Sequence, residues 1–148
     1  AVTKPLLGHF RKGKVAPQAR LSEVRVESLD GLDTGQVLGA DLFHVGDKVA
    51  VTAYSKGLGF QGTVRRHGFH GGPKTHGQSD RWRAPGSIGQ SSSPSRVFKG
   101  MRMSGRMGGR KTTVKNLLVF MVDPEKNVIA VRGAVPGKKN SYVRISKR

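Results

Sequence analysis

The sequence predicts a mainly β protein: a small antiparallel barrel or sandwich that carries a long, irregular, Gly/Arg-rich extension. Three observations predict it. Short apolar runs with period-two or continuous patterning lie at both ends of the chain, separated by turn signals. Residues 57–116 hold twelve Lys/Arg, thirteen Gly and one acidic residue, Asp80, a net +11 (12 − 1). That central stretch has almost no aliphatic periodicity, so it cannot bury a core of its own and reads as an insertion that a polyanion folds.

The elements follow in order. A helical turn is expected after Pro5, because proline is tolerated at the first helical position, although Gly8 and Gly13 interrupt the segment. Residues 20–28 alternate Val24 and Val26 with Glu23, Arg25 and Glu27, the pattern of a half-buried strand. His44-Val45-Gly46-Asp47-Lys48 reads as a turn into a strand in which Val49, Val51 and Ala53 form one face. A further strand is expected over 60–66. From His67 to Lys111 no periodic element is expected, and Pro73, Pro85 and Pro94 interrupt helices and ladders. So long a structureless stretch is acceptable only as a functional extension. Order returns in Val114–Val122, an apolar run suited to a buried strand. Asp123-Pro124-Glu125-Lys126-Asn127 is a turn, with proline where φ near −65° suits it. Val128, Ile129 and Val131 form the returning strand, Gly133–Gly137 turns again, and Tyr142, Val143 and Ile145 make a last short strand. The expected division is residues 1–66 and 112–148 as the β domain, with 67–111 inserted in it.

Charge narrows the partner. The 148 residues carry a formal +18, of which the flanks 1–56 and 117–148 contribute +2 and +5. A sequence pI near 11.4 is the footprint of a nucleic-acid binder. An anionic membrane is the other common partner for such charge, but it calls for an amphipathic helix or a tight basic cluster beside an apolar span, and neither is present. No membrane partner is therefore expected. The cations are spread singly among Gly, Ser and Pro, and many are Arg, whose planar fork matches phosphate oxygens. With no cysteine, disulfides, thiolate catalysis and Cys-ligated zinc are excluded. No apolar run approaches a membrane span and no signal peptide is visible; Ala1 in first place fits a processed or truncated chain.

Several motifs compete with this reading. Gly57-Leu58-Gly59-Phe60-Gln61-Gly62-Thr63-Val64 matches G-x-G-x-x-G-x-V, but the dinucleotide fold needs a helix directly after it and a kinase needs downstream motifs that are missing. His67, His70 and His76 beside Asp80 have metal-ligand chemistry, yet they sit among positive charge that disfavours a cation, so no metal is expected. Gly71–Gly77 could present backbone N–H groups to an anion but lacks the Gly-Lys-Ser/Thr ending of a phosphate loop. Phe69, Trp82 and Phe98 read as stacking groups, or else as staples that hold the loop to its own domain. No paired acid and base and no nucleophile elbow stand out, so neither an enzyme nor a cofactor is expected. The residues expected to meet RNA are Arg65, Arg66, His67, His70, Lys74, His76, Arg81, Trp82, Arg83, Gln90, Arg96, Lys99, Arg102, Arg106, Arg110 and Lys111.

One resemblance gathers these residues. Gly59-Phe60-Gln61-Gly62, Arg65–Phe69, Gly71-Gly72-Pro73, His76-Gly77, Arg83-Ala84-Pro85-Gly86-Ser87-Ile88-Gly89-Gln90 and Val97–Gly108, in that order, closely resemble the third protein of the large ribosomal subunit, bacterial or organellar type. Val122–Glu125 and Val131–Gly137 look like the same family, so the likeness spans most of residues 20–145. It implies a translation-protein-type β-barrel on the subunit surface and an extension running through rRNA toward the peptidyl-transferase centre. It implies binding to the 3′ domain of the large rRNA, a part in early subunit assembly, and the fourteenth and nineteenth large-subunit proteins as neighbours. It implies a tip over Arg83–Ser95 and possible methylation at Gln90, since the Gln of the family's G-S-I-G-Q motif is methylated in some bacteria. The implied location is the cytoplasmic ribosome of a bacterium, or a plastid or mitochondrial ribosome. Two departures stand out: the strand with a Gly-Met-Thr motif that usually opens the family is not in this sequence, and Trp82 occupies a place where His is usual. The rival reading is a free RNA-binding module or chaperone, which would bind many unrelated RNAs.

Overall fold

A computed structural model of the chain describes residues 2–26, 28 and 31–147. The first helix, α1 (Lys4–Lys12), opens with proline in its first turn as expected and ends at Gly13. Its Phe10 is buried, and basic side chains occupy the last turn, where they complement the helix dipole. Gly8 is accommodated with open space around it.

The core is a four-stranded antiparallel sheet built from β1 (Lys48–Tyr54), β4 (Lys111–Asp123), β5 (Val128–Arg132) and β6 (Arg144–Lys147), in the order β5-β4-β1-β6. Its register pairs Val51 with both Val114 and Ile145, and Val119 with Val131. Paired residues of an antiparallel ladder share a face, so one face collects Val49, Val51, Leu117 and Val119, with Phe43, Val122, Ile129 and Ile145 packed against them. Val49 and Val119 have no exposed surface. The other face keeps Tyr54 and Phe120 exposed. Register shifts between Val49 and Val51 and between Val119 and Met121 bend the long central strand.

Turns fix the strand entrances. The Asp47 carboxylate accepts the His44 N–H at 3.0 Å, and the Asp47 backbone bonds His44 O and accepts from Val119 N. On the opposite side Asn127, in the turn after β4, accepts the Ala40 N–H at 2.8 Å and so ties that turn to the 3-10 turn Ala40–Leu42.

Three expectations need correction. First, among the described residues the strands form an open sheet and a separate two-stranded ribbon, β2 (Gly59–Gln61) with β3 (Gly105–Met107), rather than a closed barrel. Second, residues 20–26 form no strand, and Glu27 lies outside the described residues. Their contacts to the sheet come from side chains instead of a ladder. Arg144 bonds the Ser22 hydroxyl and the Glu23 carbonyl, and the Arg20 guanidinium sits 4.0 Å over the Tyr142 ring. Val24 and Val26 are consequently exposed. Third, the strand expected over 60–66 stops at Gln61, and a short helix α2 (Thr63–His67) follows. The returning chain offers a ladder only over Gly105–Met107; two residues earlier, its Met103 carbonyl is taken by side chains of α2. Lys111, expected in the irregular stretch, opens β4 opposite Tyr54. Tyr142 and Val143 precede β6 and are not part of it. Residues 68–104 contain no helix or strand.

Candidate nucleic-acid interface

The irregular stretch leaves and rejoins the sheet through a tight neck. Ser55 donates its N–H to Arg110 O at 2.9 Å and accepts from Gly109 N at 3.2 Å, and Leu58 N bonds Met107 O at 3.0 Å. At Gly108 φ is +71°, and a Cβ there would lie 2.0 Å from Lys56 O. Only glycine allows both that conformation and so close a crossing of two backbones. The β2–β3 ribbon follows at once, with Phe60 opposite Arg106.

Beyond the ribbon, α2 clamps the returning chain. Arg66 Nη1 donates to Met103 O at 2.6 Å, and His67 Nε2 lies 3.0 Å from the same oxygen. A carbonyl only accepts, so Nε2 carries a proton here. A Cβ on Gly105 would come within 2.9 Å of Arg66 Nη1, so glycine makes room for the guanidinium. Gly68, at φ +73°, ends α2 in the left-handed conformation that favours glycine and donates to Val64 O. Helix α2 supplies what the glycine motif was expected to lack, but five residues closed by a second glycine leave no long helix to carry a pyrophosphate.

From the clamp outward, the expected residues divide into groups. Arg65 is exposed, with Nη1 3.5 Å from Gln61 Oε1, whereas Arg66 and His67 are half-buried in the clamp. Gly72 N bonds Trp82 O at 2.8 Å, closing a loop that exposes Lys74 and His76. A Cβ on Gly71 would meet that same Trp82 O at 2.4 Å. The Trp82 indole N–H donates to Gln78 O at 3.2 Å, so this ring staples its own loop while the residue as a whole stays 44% exposed. His70 Nδ1 lies 3.3 Å from Gly71 O, and His70 and Arg81 line one cavity with Phe69. Gln90 and Arg96 meet across another cavity, with Ser87 and Val97. The Arg96 guanidinium lies 5.6 Å from the exposed Phe98 ring. Arg83, Lys99, Arg102, Arg106, Arg110 and Lys111 are all exposed.

Electrostatically the stretch is unneutralised among the described residues. Among the described residues the ion pairs are Lys126–Asp123 and Lys147–Asp47, and neither involves a residue of 57–116. The lone acid of the stretch, Asp80, takes a hydrogen bond from the Ser79 hydroxyl at 3.4 Å. Surplus cations on exposed side chains, held on a glycine-rich backbone, suit a dense phosphate array rather than a small ligand. Among the described residues no three His, Asp or Glu side chains gather at metal-binding spacing, and no helix is long and apolar enough to cross a membrane.

Sequence reasoning missed two parts of this arrangement. It did not find Met103, whose contribution is a backbone carbonyl and leaves no mark in side-chain chemistry. It passed over the Gly108-Gly109 pair, which was legible: adjacent glycines returning to a strand mark a close backbone approach.

Comparison with known proteins agrees with the residue pattern. A family model described as Ribosomal protein L3 matches residues 12–127. The large ribosomal subunit protein uL3 of Chlorobaculum tepidum is 57% identical over 145 residues, covering 97% of this chain and 69% of that protein. The uL3 of Herpetosiphon aurantiacus is 51% identical over 147 residues, covering 99% of this chain and 68% of that protein. The uL3 of Chloroherpeton thalassium is 52% identical over 143 residues, covering 96% and 69%. The matched spans take in both the sheet and the cationic stretch, and on that ground the chain belongs to the ribosomal protein L3 family.

Proposed function

We propose that the chain is a structural constituent of the large ribosomal subunit of a bacterial, cytoplasmic ribosome, and that it holds large-subunit rRNA without catalysing a reaction. The observation that carries this reading is the 57% identity to a large ribosomal subunit protein across 97% of the chain. The family is structural rather than enzymatic.

Within that function, residues 1–66 and 112–148 act as a rigid base built on the antiparallel sheet, and residues 67–111 act as an rRNA-penetrating extension. The unneutralised cations of the central stretch support this division: phosphates packed too closely for water and small ions need Arg and Lys between them. Arg65, His70, Lys74, His76, Arg81, Trp82, Arg83, Gln90, Arg96, Lys99, Arg102, Arg106, Arg110 and Lys111 are the residues that meet rRNA, mostly reading backbone and shape. Arg66 and His67, also expected there, take a positioning role through Met103. The extension reaches toward the peptidyl-transferase centre from the 3′ domain, and the chain acts early in subunit assembly beside the fourteenth and nineteenth proteins. Gln90, exposed at the tip cavity, is accessible for methylation.

The test is sucrose-gradient sedimentation of a lysate, probing for this chain at low and high salt. Salt-resistant co-migration with the large subunit is expected. A position at the top of the gradient, or loss from the subunit at moderate salt, would overturn the reading.

A further inference from the structure

We propose that the cavity between residues 69–72 and 81–86 is a slot for one unstacked nucleobase of the rRNA, with Phe69 as its stacking wall and Arg81 and His70 as its phosphate-facing rim. The inference rests on the rRNA-binding reading above and goes beyond it by assigning one site and one ligand class.

The cavity measures about 420 Å³ and is walled by Phe69, Ala84, Pro85 and the glycine backbones, with Arg81 and His70 as its charged or polar side chains. That volume lies in the ~300–1,000 Å³ range of small-ligand clefts. Its walls are set by the fold and not by side-chain chance. The Gly72–Trp82 hydrogen bond of 2.8 Å holds the two strands of chain together. The approach of Gly71 to Trp82 O leaves no room for a Cβ. The Phe69 ring centroid lies 5.9 Å from that of His67, which the Met103 carbonyl holds in turn, so the stacking wall is anchored to the clamp. Trp82, the larger ring and the obvious stacking candidate from sequence, is outside the lining and has its indole N–H engaged by Gln78.

The occupant follows from complementarity. Arg81 has no carboxylate partner among the described residues, so the rim favours an anion while the walls favour a flat apolar face. A nucleotide with its base turned out of the stack offers both an anion and a flat apolar face. Single-stranded and bulged RNA is recognised in this way, by rings stacking on bases and by Arg on the adjoining phosphate.

The experiment is filter binding of protein-free bacterial large-subunit rRNA by wild type, Phe69→Leu, Phe69→Trp and Arg81→Gln at several salt concentrations. Leucine keeps apolar bulk in the wall and removes the ring. We expect Phe69→Leu to weaken binding roughly ten- to a hundredfold with an unchanged salt slope, because no charge is lost. Phe69→Trp is expected to restore most of the affinity, and Arg81→Gln to lower the slope by about one phosphate contact. Phe69→Leu binding as wild type does, or Phe69→Trp failing to rescue, overturns the slot. Wild type that does not bind the rRNA overturns the underlying reading and the slot together, and this is visible before any variant is compared. A second measurement needs no variant: ultraviolet crosslinking of wild type to the rRNA, read by mass spectrometry. A nucleotide on a peptide containing 69–72 or 81–86 is expected; crosslinks confined to other peptides overturn the slot.

Discussion

Arg66 and Met103, 37 residues apart, meet through a hydrogen bond of 2.6 Å from a guanidinium to a backbone carbonyl. This contact joins the outgoing and returning legs of the cationic stretch at the point where the ribbon ladder ends. It separates two jobs that a run of basic residues hides. Some cations face outward, as Arg65 does, and Arg66 faces the chain itself.

The first prediction tests that separation. Arg66→Ala removes a charge-assisted hydrogen bond worth about 1.5–3 kcal/mol. Amide hydrogen exchange is expected to speed up in 59–68 and 103–107 while the Val49–Val119 layer stays protected. His67→Gln, which keeps a side-chain donor, is expected to change exchange much less. In rRNA binding, Arg66→Ala should lower affinity without lowering the salt slope, since no phosphate contact is lost.

Arg81, Arg83 and Arg96 are the contrasting case. All three are exposed and lack a carboxylate partner among the described residues. Replacing them together by Gln should lower the slope of log affinity against log salt by roughly 2–3, at about 0.7–0.9 per phosphate contact. Circular dichroism and urea unfolding of the sheet should stay unchanged. A triple variant with the wild-type slope would remove these side chains from the interface.

How far the sequence carried these assignments depends on what kind of information fixes each element. The runs 48–54 and 114–122 were legible because period-two or continuous apolar patterning is a property of the strand itself. Residues 20–26 carry the same alternation and form no strand; alternation marks a segment that suits a half-buried ladder and does not supply the partner, and here the contacts run through the Arg144 side chain to Ser22 and Glu23. Helix α2 was hidden for the opposite reason. Thr63 and Val64 favour strands by propensity, and the helix is held by a long-range clamp to Met103. Among the site residues, charge was readable and direction was not: Arg65 and Arg66 are indistinguishable in sequence, yet one is exposed and the other is built into the clamp on Met103.

The neck gives a third prediction. Gly108→Ala places a methyl group where Lys56 O already lies, at a positive φ that costs an L-residue about 1–2 kcal/mol even without the overlap. The legs must then separate, breaking the Ser55–Arg110 and Ser55–Gly109 hydrogen bonds. Rapid amide exchange at Ser55, Leu58 and Gly109 is expected, with loss of rRNA affinity although no charge has changed. Gly57→Ala, with open space around it, is the control and should behave as wild type.

Leu117 tests the base. It is 7% exposed and packs with Val49, Val51 and Val119. Leu117→Ala leaves a cavity in the buried layer formed with Val49, Val51 and Val119 and should cost about 2–5 kcal/mol, read as a lower urea midpoint at an unchanged m-value. In a sheet with so small a core, that loss is expected to bring unfolding to distinctly lower urea, while the base stays folded in its absence.

Asp47 sets the pH dependence of the same base. The His44 backbone N–H bonds its carboxylate, and Lys147 pairs with it at 2.9 Å; both hold its pKa below the ordinary carboxylate value. The sign follows from proton linkage. The unfolded chain binds a proton at Asp47 more readily than the folded chain does, so stability rises with pH across that interval. The contribution is fully present above the ordinary value of about 3.9 and is lost as pH falls through the lower folded value. Because Lys147 lies in β6, which pairs only with β1 among the described residues, protonation should release the β6 edge first. Urea midpoints measured from pH 5 downward are expected to fall less steeply in Asp47→Asn than in wild type. Lys147→Ala should flatten the curve only in part, since the His44 N–H remains. Identical acid profiles for wild type and Asp47→Asn would mean that other carboxylates govern the acid limit.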